Sequence, residues 1–242
     1  MTSPEVIVLV GGTSSLAKAL VDQYLLKNNI FKIIITARSR EKFDNLYSSY
    51  SSKNIEFYKL DVLNLIDIEN LVKHLNKYEK KVAIHYLAAV KNINSIDIEN
   101  LFKINFLSSV FFYDVLLKNI NSFDFILLGS QGDIHGAVNT SSYNASKAAM
   151  SKYFEPIALR SQGSQKVFII KPWLFKSEMV KSSSAINIIT FSTNYVAKAI
   201  LKGIDKDKPI IYVPRVTYKI IELLSFISKR LLYIILFKFL KS

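Results

Sequence analysis

Short apolar runs recur along the chain, at 6–10, 31–36, 55–58, 82–87, 123–128, 167–170 and 209–213. Most are apolar at nearly every position rather than at alternate ones, the pattern of strands buried on both faces. Between them lie stretches with helical spacing, at 14–28, 66–78, 98–117, 143–161 and 194–201. In the first of these, Leu16, Ala19, Leu20, Gln23, Tyr24 and Lys27 fall in amphipathic order. Apolar strands alternating with helices predict a parallel sheet covered on both faces. Right-handed crossovers make that a doubly wound α/β domain of about seven strands.

The pattern changes after residue 214, so the chain divides into a domain at 1–214 and an extension at 215–242. The extension holds six basic residues (Arg215, Lys219, Lys229, Arg230, Lys238, Lys241) and one acid, Glu222. Its longest apolar run is 231–237, well short of the roughly 20 residues that span a bilayer. An amphipathic helical tail lying on a membrane fits this pattern. So does a helix that covers the domain or a subunit interface.

At 242 residues the chain suits one large domain. Half the residues are apolar and 21% are charged, which excludes a disordered chain. There is no cysteine, which excludes disulfide frameworks, cysteine zinc sites and iron–sulfur clusters. Basic residues outnumber acidic ones 32 to 19, a formal charge of +13. Such a balance suits anionic lipid as well as nucleic acid. The chain is also rich in Ile, Asn, Phe, Tyr and Ser and has 7 glycines, so codon usage explains part of the lysine excess. The expectation is a solvated basic surface and no nucleic-acid partner. The N-terminal VIVLV run has no basic leader and is too short for a signal core, which predicts a cytoplasmic protein, with residues 215–242 as a candidate peripheral contact to the membrane. His74, His85 and His135 show no metal-ligand spacing, so no metal site is expected. His135 is a candidate for the pocket wall or a loop.

Chemistry gathers at the ends of the strands. The first strand runs into Gly11-Gly12-Thr13-Ser14-Ser15-Leu16-Ala17 and a helix. A small-residue turn there lets backbone N–H groups and the helix N-terminus face a pyrophosphate, and Ser14 and Ser15 add hydroxyls or a cap. The second strand leads to Arg38-Ser39-Arg40, with no acid before Glu41. A guanidinium there suits a 2′-phosphate, whereas an acid would suit a free ribose hydroxyl. That favours NADP(H) over NAD(H), with Arg40 and Lys42 adding to the field. Asp61-Val62 after the third strand would flank the adenine. Downstream, Ser130 ends a strand, Tyr143 follows, and Lys147 stands one helical turn beyond Tyr143. An ammonium near a phenol lowers the phenol pKa from ~10. Tyr143 would then exchange a proton with a substrate oxygen that Ser130 holds.

These motifs, in this order, resemble the short-chain dehydrogenase/reductase family over most of the chain, from Val6 to about Met179. The resemblance implies a Rossmann-type fold and reversible hydride transfer between NADP(H) and a carbonyl or secondary alcohol. It implies a catalytic set of Asn105, Ser130, Tyr143 and Lys147, with Asn105 holding a relay water. It places Gly11, Thr13, Ser14, Ser15, Leu16, Arg38, Asp61, Val62, Ala88, Ala89, Tyr143, Lys147, Pro172, Phe175 and Ser177 around the cofactor. Lys147 would bind the ribose, and Phe175 and Ser177 the carboxamide. A homodimer or homotetramer is implied, built on helices near 101–117 and 143–159.

Departures are plain: Leu87-Ala88-Ala89 stands for the family's Asn-Ala-Gly, Trp173 for a glycine, and Leu16 and Ala17 where glycines are usual. These changes narrow the cofactor site or reshape it. Trp173, His135 and the 176–184 loop, with its KSSS run, are candidates for substrate choice. Four functional readings follow: a carbonyl reductase of small molecules, a keto-sugar reductase acting on lipid-linked or envelope glycans, a 3-oxoacyl reductase, and a non-catalytic NADP-binding module.

Overall fold

The computed structural model describes residues 4–27, 29–50, 54–91, 97–134, 140–179 and 190–227. In chain order these form β1 (Val6–Val10), α1 (Ser15–Leu25), β2 (Lys32–Ala37), α2 (Arg40–Tyr47), β3 (Ile55–Lys59), α3 (Leu65–Asn76) and β4 (Val82–Tyr86). Then come α4 (Ile98–Phe102), a π turn (Lys103–Leu107), α5 (Ser108–Asn119), β5 (Phe123–Leu128), a 3-10 turn (Gln131–Asp133) and α6 (Ser141–Arg160). The chain closes with β6 (Gln165–Pro172), α7 (Thr193–Asp205), β7 (Ile210–Val213) and α8 (Arg215–Ile227).

All seven strands are parallel, in the order β3-β2-β1-β4-β5-β6-β7. β1 is buried at every residue because it lies inside the sheet and is covered on both faces. Val6, Val8 and Val10 point to a core with Leu71, Phe112, Phe125, Phe154 and Met150 from α3, α5, β5 and α6. Ile7 and Leu9 point to a second core with Leu16, Leu20, Phe43, Val196 and Ile200 from α1, α2 and α7. Alternation along a strand thus divides one apolar run between two helical layers. The order of strands reverses between β1 and β4, which opens a crevice at their C-terminal ends.

Local chemistry sets the helix starts. Ser14 caps α1 by accepting from Ala17 N, Ser39 caps α2 from Lys42 N, and Ser192 caps α7 from Tyr195 N. Each oxygen satisfies a backbone donor that the helix itself leaves free.

Three departures from the sequence expectations have physical reasons. α2 lies in a stretch that reads as loop, since Phe43 and Tyr47 are its only buried residues. β6 is longer than its apolar run because two lysines at its ends are buried: Lys166 pairs with Asp207 at 2.6 Å and Lys171 with Asp133 at 2.7 Å. The helix expected across 98–117 is broken by the π turn. The whole stretch Ile98–Asn119 is long and apolar enough to cross a membrane by length and composition. Leu101, Phe112, Tyr113 and Leu116 are buried against the domain, so it is a core helix here.

Helix α8 begins where the extension was expected. Its first turn belongs to the domain: Thr217 donates to Gln131 Oε1 at 2.8 Å, and Ile221 is buried. Residues 228–242 lie outside the described residues.

Candidate active site

The crevice between β1 and β4 is formed by backbone contact. Gly11 has φ +78°, and a Cβ on it would lie 2.8 Å from Ala88 N and 2.9 Å from Ala88 Cα. Only glycine allows both that conformation and that approach. The turn after β1 is therefore pressed against Ala88. Leu16 is buried in the core beneath α1, so its side chain faces away from the turn and does not narrow it. Ser15, the first residue of α1, is half-buried. Thr13 is half-buried on the same turn.

The N-terminus of α1 already holds an anion. Glu178 Oε1 accepts from Ser15 N at 3.0 Å, and its Oε2 accepts from Ser15 Oγ at 3.3 Å. A carboxylate is stabilised there by free N–H groups and the helix dipole, the same features that bind a phosphate. Sequence reasoning missed Glu178, because nothing in its local pattern places it beside residue 15. The contact draws the segment after β6 to the turn after β1. Within that segment, Pro172 pairs with Val213, Trp173 N donates to Val213 O, and Phe175 bridges to Phe191. Ser177 is half-buried nearby.

Beyond β2 the two arginines differ. Arg40 is committed to structure: it pairs with Asp44 at 2.9 Å and lies over the rings of Phe43 and Phe57. Arg38 is exposed and has no such partner among the described residues. Its guanidinium is the one available for an anion. Asp61 is half-buried with Oδ1 accepting from Leu63 N at 3.0 Å, and Val62 packs with Ala88 on the core beneath the crevice.

The residues expected to transfer a proton lie near the end of β5. Lys147 is only 2% exposed and donates to Leu128 O at 2.8 Å, one residue from Gly129 and two from Ser130. Ser130 Oγ accepts from Gly132 N at 3.0 Å, capping the 3-10 turn. That bond uses a lone pair and leaves the hydroxyl proton able to donate. Lys147 Nζ lies 6.0 Å from the centre of the Tyr143 ring. Asn105 sits inside the π turn, a distortion frequent at functional sites. Its Nδ2 donates to Val90 O and Ser146 Oγ, at 2.9 and 3.0 Å, and its Oδ1 accepts from Val90 N at 2.8 Å. It clips the segment after β4 onto α6 beside Lys147.

The charges differ from the simple expectation. Tyr143 is pushed up to about 12, first by burial and then by the Asp133 carboxylate. Lys147 is pushed down to about 8 by burial, against the pull of Asp133. Both causes act in the same direction, so the Tyr143 phenol is neutral at neutral pH. His85, by contrast, is a core group: it is buried on β4, bonds Tyr24 OH at 2.6 Å and is pushed down to about 3, first by burial and then by Lys27. His135 and residues 181–184 lie outside the described residues.

Comparison with known proteins agrees with this fold. Residues 5–187 match the short chain dehydrogenase family. A short-chain dehydrogenase from Burkholderia cenocepacia, solved in complex with NADP, superposes with a TM-score of 0.74 at 16% identity, covering 94% of each chain. One from Streptomyces avermitilis gives 0.76 at 20% identity, covering 93% of this chain and 94% of that one. One from Burkholderia phymatum in complex with NAD gives 0.69 at 14% identity, covering 87% and 89%. A curated relative, glucosamine-6-phosphate deaminase of Clostridium novyi (strain NT), is 28% identical over 143 residues. That match spans 58% of this chain and 56% of the relative, little more than half its length.

Proposed function

This chain belongs to the short-chain dehydrogenase/reductase family, and from that premise we propose that it is an NADP(H)-dependent oxidoreductase that reduces a carbonyl to a secondary alcohol. The observation that carries the proposal is the convergence of Ser130, Tyr143 and Lys147 at the end of β5, with Lys147 Nζ anchored 2.8 Å from Leu128 O. The crevice fits a dinucleotide. Gly11 leaves a cradle that a Cβ would fill, and the α1 N-terminus already stabilises a carboxylate. Uncommitted Arg38 favours the 2′-phosphate of NADP(H), the cofactor of the Burkholderia cenocepacia neighbour, over NAD(H).

When bound, the nicotinamide supplies the hydride. Ser130 donates its hydroxyl to the substrate oxygen and orients it. Tyr143, neutral at physiological pH, gives the proton to that oxygen. Lys147 in its charged form holds the ribose, and Asn105 fixes the wall beside it and carries the relay water.

A lipid-linked carbonyl substrate, such as a polyprenyl-linked keto-sugar, is supported by one further feature. Val216, Ile220, Leu223 and Phe226 form an exposed apolar stripe on α8, with Phe226 90% exposed, beside Arg215 and Lys219. Basic apolar residues continue to position 242. That composition suits an anionic membrane surface.

The test is fluorescence titration with NADPH and NADH, followed by turnover on a panel of carbonyls. NADPH should bind more tightly than NADH, and Arg38→Ala should remove the preference. Tyr143→Phe should keep NADPH binding and lose about 10²–10⁴-fold in turnover, the usual worth of a positioned acid. Binding without turnover on any carbonyl would favour the non-catalytic module. Near-normal turnover in Tyr143→Phe would remove the proton-transfer role.

A further inference from the structure

Three residues past Ser130, the carboxylate of Asp133 is buried, with its side chain 2% exposed. Its Oδ2 accepts from the Lys171 ammonium at 2.7 Å and from the Ser151 hydroxyl. Its Oδ1 is also buried, without a hydrogen-bond partner among the described residues. Lys171 is shared with Glu155 of α6, which is more exposed, and lies over the Tyr212 ring of β7. One buried cation thus faces two carboxylates, leaving a net negative charge at the back of the site. Beyond Tyr212 stand Tyr218 and Glu222 of α8, stacked and hydrogen-bonded at greater exposure.

The position of this group is informative. Asp133 closes the turn that Ser130 caps. Ser151 lies on α6 one turn beyond Lys147 and two beyond Tyr143. Lys171 lies on β6, next to Pro172. One carboxylate therefore joins the three elements that carry the reacting groups and the cofactor wall. Gln131, on the same turn, adds bonds to Lys171 O and Pro214 O at 3.2 Å each. A buried ion pair is a weak source of net stability, because desolvation offsets much of its attraction. Geometry and charge at the site are a better account of its presence. Among the described residues, Asp133 is the carboxylate whose charge raises both Tyr143 and Lys147.

We propose that Asp133 is a positioning residue for the Ser130–Tyr143–Lys147 site: locked between Lys171 and Ser151, its carboxylate fixes the Ser130 turn against α6 and sets a buried negative charge behind the site. This rests on the oxidoreductase reading. The sign follows from Coulomb's law: a nearby anion stabilises charged Lys147 and disfavours the Tyr143 phenolate. It offsets part of the burial that weakens Lys147, at the cost of holding Tyr143 protonated, which suits a proton donor.

NADPH binding measured against pH tests it without any substrate. If Lys147 must be charged to hold the ribose, affinity falls as pH rises through the lysine's pKa. Between pH 7 and 9.5, wild type should lose affinity on the alkaline side, near pH 8. Asp133→Asn should move that loss about one unit lower, within the range for a nearby charge, so that affinity at pH 9 is about tenfold weaker than wild type. Asn keeps an acceptor for Ser151, and Lys171 keeps Glu155. Lys171→Met carries the test independently, including where Asp133→Asn does not fold. With its cation removed, the Asp133 carboxylate is less compensated, so the midpoint should move above the wild-type value, and an unchanged or lower midpoint overturns the charge role.

Outcomes separate the two readings. No NADPH binding by wild type at any pH overturns the oxidoreductase reading. Wild-type binding that ignores pH, or an Asp133→Asn midpoint equal to wild type, overturns the role of Asp133 and leaves that reading intact.

Discussion

Ser130 and Asp133 are three residues apart on one turn, yet they differ in what they touch. Ser130 caps the turn through a lone pair and keeps its proton for a ligand. Asp133 faces inward to Lys171 and Ser151. The same division separates Arg38 from Arg40: one is unpaired among the described residues and the other is tied to Asp44. Glu178 follows the same logic from the far side of the crevice. Its carboxylate occupies the Ser15 donors, and under the proposed cofactor placement it would compete for them with a pyrophosphate. Glu178→Gln should tighten NADPH by about twofold to fivefold, the effect of one charge at a helix end, read by the same titration. Unchanged or weaker binding would mean that Glu178 supports the cofactor segment rather than competing with its ligand. None of these distinctions is visible in the local sequence. An Arg two positions from another Arg has the same composition around it, and only the neighbours in space differ.

Among the elements, the strands were the most legible. A run of five or six apolar residues has few alternatives once it is bounded by turns, and β1 and β5 match the expected bounds. The π turn was not legible, because Lys103–Leu107 continues a helical pattern. Burial of Asn105 against Val90 and Ser146 accompanies the wider turn. β6 hid its length behind two lysines whose partners come from elsewhere in the chain. Helix α8 was expected as an amphipathic extension. Its sequence did not reveal that Thr217 would bond the Ser130 turn through Gln131. The exposed face carries its own expectation. The full chain should sediment with vesicles containing anionic phosphatidylglycerol and much less with neutral phosphatidylcholine. Ile220→Ser/Leu223→Ser should lower the bound fraction severalfold while NADPH binding is retained. Equal partition of wild type onto neutral vesicles, or none onto either, removes the membrane reading.

At the scale of the whole molecule, α4–α6 leave a further apolar surface. Leu107, Phe111, Leu117, Tyr153 and Leu159 are exposed there, Phe111 by 51% and Leu159 by 62%. An open cleft of about 380 Å³ lies on this side, lined by Tyr113, Pro156, Ile157 and Arg160 among others. A two-fold pairing of this face would bury the surface twice over in one self-complementary interface. The chain should therefore elute as a dimer or tetramer in light-scattering chromatography. Phe111→Glu/Leu159→Glu should give monomer at micromolar concentration, because each buried unpaired charge costs on the order of several kcal/mol. A wild-type monomer at high concentration would leave this face without a partner.

The sequence by itself determined the strand–helix alternation, the two-sided core, the Gly11 turn and the spacing of Ser130, Tyr143 and Lys147. These depend on local patterning and on short spacings that a helix or turn converts directly into geometry. Tertiary structure alone decided which charges are buried, what they face and how far they shift. Lys171 and Asp133 are 38 positions apart, and Ser15 and Glu178 are 163 apart. Nothing in the chain between them encodes the meeting. It follows from the order of the strands, which brings the ends of β1, β5 and β6 to one edge of the sheet. Burial at that edge then sets the balance between desolvation and charge, and that balance raises the Tyr143 phenol and lowers the Lys147 ammonium.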